Sequence, residues 1–258
     1  MLQESHVKKD RAGFTLVEMA IVLVIVGLLL GGLLMPLSAQ VEQRRIGETQ
    51  KALEEIKEAL IGFAIANGRL PCPAPATSAT GAPLAGLEPS PIVAGAVGCT
   101  NAAGVLPWAT LGVNETDAWG NRYTYRVTKE FTRTVPQVTF TSCATPPPSN
   151  PQYAAFALCS QGNMAILNMG GGSTISSNVP AVVVSHGKNG NGAYTSQGTQ
   201  LPLGADVDEQ DNQLTTAGTA TANNNFISKT PTATFDDIVT WVSPNILFNR
   251  MVSAQKLP

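Results

Sequence analysis

The 258-residue chain is poor in charge and in histidine. Charged residues make up 13% of it, about half the ~25% usual in soluble domains. Because 43% of the chain is hydrophobic, this shortage does not mark a disordered chain. Sixteen Lys and Arg against eighteen Asp and Glu leave no cationic surplus to neutralise phosphates, so no nucleic-acid partner is expected. Two histidines, His6 and His186, are too few for a multi-histidine metal or catalytic centre. Cysteine is also scarce: Cys72, Cys99, Cys143 and Cys159 form no Cys-x-x-Cys pair, which argues against zinc and thioredoxin-like chemistry.

What is present begins at the N-terminus. A short polar leader with Lys8, Lys9 and Arg11 precedes nineteen uncharged residues, Met19 to Leu37. At 1.5 Å per residue such a helix is about 28 Å long, close to the hydrocarbon thickness of a bilayer. Lys and Arg flank both ends of the run, so charge alone does not orient it. A secretory signal cleaved near Ala39 and a plain membrane anchor are the other readings. The run is long for a signal peptide, Leu37 stands where a cleavage site wants a small residue, and Glu18 sits at its entrance. An acid at the edge of a span is costly and therefore points to function.

Gly13-Phe14-Thr15-Leu16-Val17-Glu18, after a basic leader and before the apolar run, resembles the processing signal of type IV pilins and pseudopilins. The resemblance implies cleavage by prepilin peptidase between Gly13 and Phe14 and methylation of the new amine. It also implies assembly through Phe14 and Glu18, the acid of one subunit pairing with the amine of a neighbour. The other partners it implies are further pilin or pseudopilin subunits and an inner-membrane assembly platform. The chain would sit in the bacterial inner membrane as a single-pass protein with its head in the periplasm, extractable into a fibre. The implied fold is α+β: a long N-terminal helix packed on a small antiparallel sheet, with a short C-terminal helix.

The expected organisation is a leader at 1–13, a transmembrane and assembly helix at 14–37, an amphipathic continuation at 38–68, and a head at 69–258. Gly31, Gly32 and Pro36 suggest a kink in the span. Leu53, Ile56, Leu60 and Phe63 form one apolar stripe on an otherwise polar helix, which Asn67-Gly68 closes before Pro71. In the head, Asp117-Ala-Trp-Gly-Asn predicts a turn into a strand carrying Tyr123, Tyr125 and Val127. Further strands are expected at 135–140, 153–159 and 181–185. The phrase Asp117-x-Trp119-Gly120-Asn121-x-Tyr123-x-Tyr125 is similar to one in the major pseudopilins of type II secretion.

Pairing Cys72 with Cys99 and Cys143 with Cys159 would close two local loops in an oxidising compartment; four free thiols are the alternative. Val184 to Gly192 is rich in glycine but lacks the Gly-Lys-Ser/Thr opening of a phosphate loop, so it reads as a surface turn. The major pseudopilins carry a calcium site, and the comparable residues are Ser185-His186-Gly187 with Asp236 and Asp237. Asp236 also suits the N-cap of a closing helix over 238–251, the favoured reading. Asp206, Asp208, Glu209 and Asp211 lie in a long insertion, 193–234, and do not fit an EF-hand. The stretch 197–225 reads as an exposed loop.

The leading function is thus a structural subunit, a type II secretion pseudopilin, and not an enzyme. The alternatives are a minor type IV pilin or an adhesin-like head on a pilin stalk.

Overall fold

The computed structural model describes residues 13–89, 98–135, 143, 153–214 and 224–257, with side chains at 30–37 left out of that description. Two compact units divide it, Met1–Arg44 and Arg45–Pro258.

Helix α1 covers Leu16–Asn67, 52 residues. Among its described side chains in the first unit, Leu16 is 87% exposed and Leu28 73%. Among the described residues no helix is long and apolar enough to cross a membrane. The rest of the apolar run, with the bend expected near Pro36, falls at 30–37 and lies outside those described side chains.

In the second unit the apolar stripe of α1 becomes core. Leu53, Ile56 and Leu60 are buried, joined by Ile61 and Ala64, while Phe63 is half-buried at the edge. Burial of each large aliphatic side chain stabilises by about 1.5–3 kcal/mol. The helix ends at Gly68, whose positive φ of 71° suits a residue without Cβ.

The head continues with β1 (Ala103–Val105), the short α2 (Trp108–Leu111), β2 (Asn121–Arg122), β3 (Thr124–Val127) and a 3₁₀ turn at Lys129–Thr132. There follow β4 (Met164–Leu167), β5 (Thr174–Val179), β6 (Ala181–Ser185) and β7 (Tyr194–Thr195). The chain closes with α3 (Val207–Asn212), β8 (Asn225–Ile227), β9 (Ile238–Val242) and α4 (Pro244–Ser253).

The main sheet has the order β1-β3-β6-β9, antiparallel throughout, with Tyr125 opposite Val183 and Val183 opposite Thr240. Alternation along β6 explains its unbroken apolar sequence. Ala181 and Val183 join Tyr123, Tyr125 and Val127 against α1, whereas Val182 and Val184 pack with Met164, Ile166, Val179 and Phe226 of a second sheet. A strand buried on both faces reads as a continuous hydrophobic run. The second sheet has the order β5-β4-β8, with β4–β5 antiparallel and β4–β8 parallel. The head is therefore layered as helix, sheet, sheet. The architecture is the α+β, pilin-like one: N-terminal helix, antiparallel sheet, short C-terminal helix.

Several expectations change. Residues 238–251 are not one helix: Ile238–Val242 is the edge strand β9, and α4 starts at Pro244 after the N-cap Ser243. Proline suits that position because its missing N–H is one a helix start leaves unpaired. Residues 153–159 form no strand; Ala154, Ala155 and Phe156 pack into the core as an irregular segment, and the Ala155 N–H donates to the Gly68 carbonyl. The strand expected at 135–140 lies outside the described residues apart from Val135, and the neighbours of β3 are β1 and β6. The stretch 197–225 is not simply exposed loop, since it contains α3 with buried Glu209 and Asn212.

Two disulfides staple the head, Cys72–Cys99 and Cys143–Cys159.

Candidate functional site

The first site is the start of α1. Thr15 precedes the first helical residue, and its backbone N–H and hydroxyl both donate to Glu18 Oε2 at 2.8 Å. The Glu18 N–H donates in return to Thr15 Oγ1 at 3.2 Å. This is a capping box: residues three apart satisfy each other's orphan groups at a helix start. Phe14 is 83% exposed, and a side-chain carbon added at Gly13 would meet nothing within 4 Å. The Gly13–Phe14 bond thus lies outside regular secondary structure, just before the helix.

The second site lies where the β6–β7 turn, the start of β9 and α3 meet. Carboxylate oxygens of Glu209, Asp236 and Asp237 lie within 4.8 Å of one another. Glu209 and Asp237 are buried and Asp236 is half-buried. Gly187, at φ 57°, packs so close that an added Cβ would stand 2.4 Å from the Asp236 carbonyl oxygen. Asp236 caps no helix here; its Oδ2 accepts the Asn189 N–H at 2.9 Å. Glu209 Oε1 accepts Asn189 Nδ2 and the Asp236 N–H, and Oε2 accepts Asn191 Nδ2. Asp237 Oδ2 accepts Asn212 Nδ2 at 2.9 Å.

Three atoms in this neighbourhood have no hydrogen-bond partner: Asp236 Oδ1, Asp237 Oδ1 and His186 Nδ1. The last two face each other at 3.4 Å, an ion pair only when the imidazole is protonated. Burial pushes the Asp236 carboxyl up to about 6; the Asn189 N–H opposes this, and the charges of Asp237 and Glu209 add to it. Burial also raises Asp237, against the pull of His186. Asp236 and Asp237 thus each keep one oxygen without a hydrogen-bond donor, whereas both Glu209 oxygens accept one.

The donor set fits a hard divalent cation. Oxygens around one calcium ion sit at 2.3–2.6 Å from it, so two of them are at most about 5 Å apart. The Asn189 and Asn191 amides donate to Glu209 and the Asn212 amide to Asp237, which fixes the orientation of these two carboxylates.

Thr124 Oγ1 lies 2.8 Å from His186 Nε2, so a hydroxyl, an imidazole and the Asp237 carboxylate stand in line. The order matches a hydrolytic triad. Thr124, His186 and Asp237 are 2%, 0% and 3% exposed, however, and no substrate reaches such a hydroxyl. The line is a buried strut joining β3, β6 and β9.

The sequence favoured Asp236 as a helix cap and grouped it with Asp237 and Ser185-His186-Gly187 only through the resemblance; the structure places these residues near one another. Sequence reasoning did not place Glu209 with them, because the acid pattern on α3 carries no sign of which strand it meets. It missed the Thr124–His186 contact for the same reason.

Residues 8–34 match the family model described as the prokaryotic N-terminal methylation motif, the signature of type IV pilins and pseudopilins. The match ends within α1 and does not reach the head. No curated protein and no solved structure matches the chain.

Proposed function

We propose that this pilin-like subunit is a pseudopilin of a type II secretion system, cleaved between Gly13 and Phe14 by prepilin peptidase and methylated on Phe14. The methylation motif carries the subunit reading: it indicates a structural component and not an enzyme, processed by that peptidase and assembled with other pilin subunits. The exposed apolar face from Leu16 to Leu29 supports the assembly mode, because side chains this oily need lipid or neighbouring helices around them. The uncharged run Met19 to Leu37 supports a single-pass inner-membrane location with the head in the periplasm, and the two disulfides fit that compartment. Choice of the secretion system rests on the Asp117-to-Tyr125 phrase and on the Asp236–Asp237 site.

Asp236 and Asp237 would hold calcium in this reading. When bound, it supplies the positive charge that the crowded carboxylates lack. The chain's own part is to present oxygens, with the asparagine amides and His186 fixing their orientation.

The β4-β5-β8 sheet and α3 enlarge the head and favour a second reading, a minor pilin or a tip-borne binding head. Intact-mass analysis of the chain from membranes tests the processing: a methylated N-terminus at Phe14 is the expected result, and a start at Gln40 would remove the pilin-like reading. Loss of secretion through the outer membrane on deletion, with surface pili retained, separates the secretion role from the second reading.

A further inference from the structure

We propose that the two disulfides belong to different stages of maturation: Cys72–Cys99 is oxidised on the open chain before the core closes, whereas Cys143–Cys159 stays within reach of thiol–disulfide exchange in the folded head. The inference stands on burial and chain order and is independent of which fibre the subunit builds.

Cys72 and Cys99 sit inside the main hydrophobic core. Each is 4% exposed, and Leu70, Leu106 and Tyr125, at 0%, belong to the same cluster. The backbone at both ends of the bridge is fixed as well. The Cys72 N–H donates to Glu88 Oε1 at 2.6 Å, and both Glu88 oxygens accept from the Arg69 guanidinium. The Cys99 N–H donates to Thr132 Oγ1 at 3.0 Å. One residue earlier, a Cβ added at Gly98 would stand 2.3 Å from the Lys129 carbonyl oxygen, so the chain is pressed against its neighbour there. Reaching this bridge means opening the core.

The second bridge is placed differently. Cys143 and Cys159 are both half-buried, and neither joins the core around Tyr125. Cys159 lies in a turn directly after Leu158, which is 52% exposed.

The chemistry makes this contrast decisive. Exchange requires a thiolate to reach a sulfur and to pass through a mixed disulfide with the incoming molecule. In the oxidising direction, one cysteine thiolate attacks an external disulfide, either a small molecule such as oxidised glutathione or a protein dithiol in its oxidised form. One external thiolate leaves. The second cysteine thiolate then attacks the mixed disulfide, forms the bond within the chain and expels the other external thiolate. The chain gives up two electrons and two protons, and the external disulfide ends as two thiols. At Cys72 or Cys99 the mixed disulfide would have to fit a foreign group among fully buried side chains, which close packing does not allow. At Cys143 and Cys159 the foreign group can remain in solvent.

Each cysteine bonds to the next one along the chain, so the two loops neither overlap nor nest. The early bond therefore forms without occupying a partner that the late bond needs. A dithiol-oxidising reaction must precede folding of the head for the first bridge, while the second remains open to oxidation and reduction afterwards.

The full chain in detergent, treated with dithiothreitol for increasing times, alkylated with N-ethylmaleimide and read by peptide mass spectrometry, tests this. Cys143 and Cys159 should be labelled at least about tenfold faster than Cys72 and Cys99, because the buried pair waits for the core to open. Urea below the unfolding midpoint should speed labelling of Cys72 and Cys99 in step with the unfolded fraction and leave the rate at Cys143 and Cys159 nearly unchanged. Equal rates without urea, or earlier labelling of Cys72 and Cys99, would overturn the proposal. A variant with Cys143→Ser and Cys159→Ser repeats the measurement on the first bridge alone. Slow, urea-dependent labelling there supports the proposal, and rapid labelling without urea contradicts it.

Discussion

The Asp117 carboxylate accepts the Ser185 hydroxyl at 2.6 Å, joining the turn before β2 to the end of β6. Its other oxygen accepts the N–H groups of Trp119 and Asn121, both at 3.0 Å. One buried side chain therefore sets the turn and ties it to the central sheet. Asp117→Ala would leave these buried donors without an acceptor and should cost about 1–3 kcal/mol in chemical denaturation.

Burial raises the Asp117 carboxyl above its ordinary value, while Ser185 and the two amides pull it down. The folded state then holds its proton to a higher pH than the unfolded state does. This group's contribution to stability is fully present below the ordinary value of 3.8 and falls as pH rises through the interval up to the raised value. Asp117→Asn keeps an acceptor for the turn and removes that dependence. The stability difference between Asp117→Asn and the unsubstituted chain should grow in favour of the variant across that interval and level off above it. A pH-independent difference would show that Asp117 does not titrate differently on folding.

Glu18 bonds to Thr15 inside the helix start, on the C-terminal side of the Gly13–Phe14 bond. Glu18→Ala should be cleaved and methylated normally by mass analysis but fail to enter sheared fibres. Incorporation at the normal level would rule out charge pairing as the docking device.

The two disulfides close loops of 27 and 16 positions. Chain-entropy arguments assign each about 3–4 kcal/mol through restriction of the unfolded state. Cys72→Ser with Cys99→Ser should lower stability by that order. Reductant added to the unsubstituted chain should lower its melting temperature, and an unchanged melt after confirmed reduction would contradict the assignment.

Leu60 is 0% exposed between α1 and the main sheet. Leu60→Ala should destabilise the head by about 2–5 kcal/mol, and the spread reflects how far the site can collapse. Val252→Ala, at an exposed position on α4, should change stability by less than about 0.5 kcal/mol.

The sequence spoke most clearly where one periodicity governed. The 3-4 spacing of Leu53, Ile56 and Leu60 read as a packed helix face, and the short β-branched run of β6 read as a strand. It spoke ambiguously where two local signals competed. Ile238-Val-Thr-Trp-Val is β-branched and aromatic, favouring a strand, but Asp236 before it looked like a helix cap. The start signal that prevails is Ser243-Pro244, with Ser243 seven positions after Asp236. Tyr153 to Cys159 has strand composition, yet its backbone bonds go to Gly68 and to a local turn instead of a ladder. At the acidic junction, composition was legible and adjacency was not. Glu209 meets Asp236 and Asp237 only because β8 runs beside β4 and turns the chain back, and no pattern in six mostly polar residues announces that.

That parallel pairing has a kinetic side. Ala165 opposes Asn225, about sixty positions later, whereas β4 and β5 meet through a short hairpin. Contacts so distant along the chain are slow to form, because a large loop must close before any contact rewards it. The hairpin should assemble early and β8 should be the late-arriving strand, leaving one edge of β4 open while the head folds. Any protease or chaperone that samples the partly folded head would meet it first along that edge.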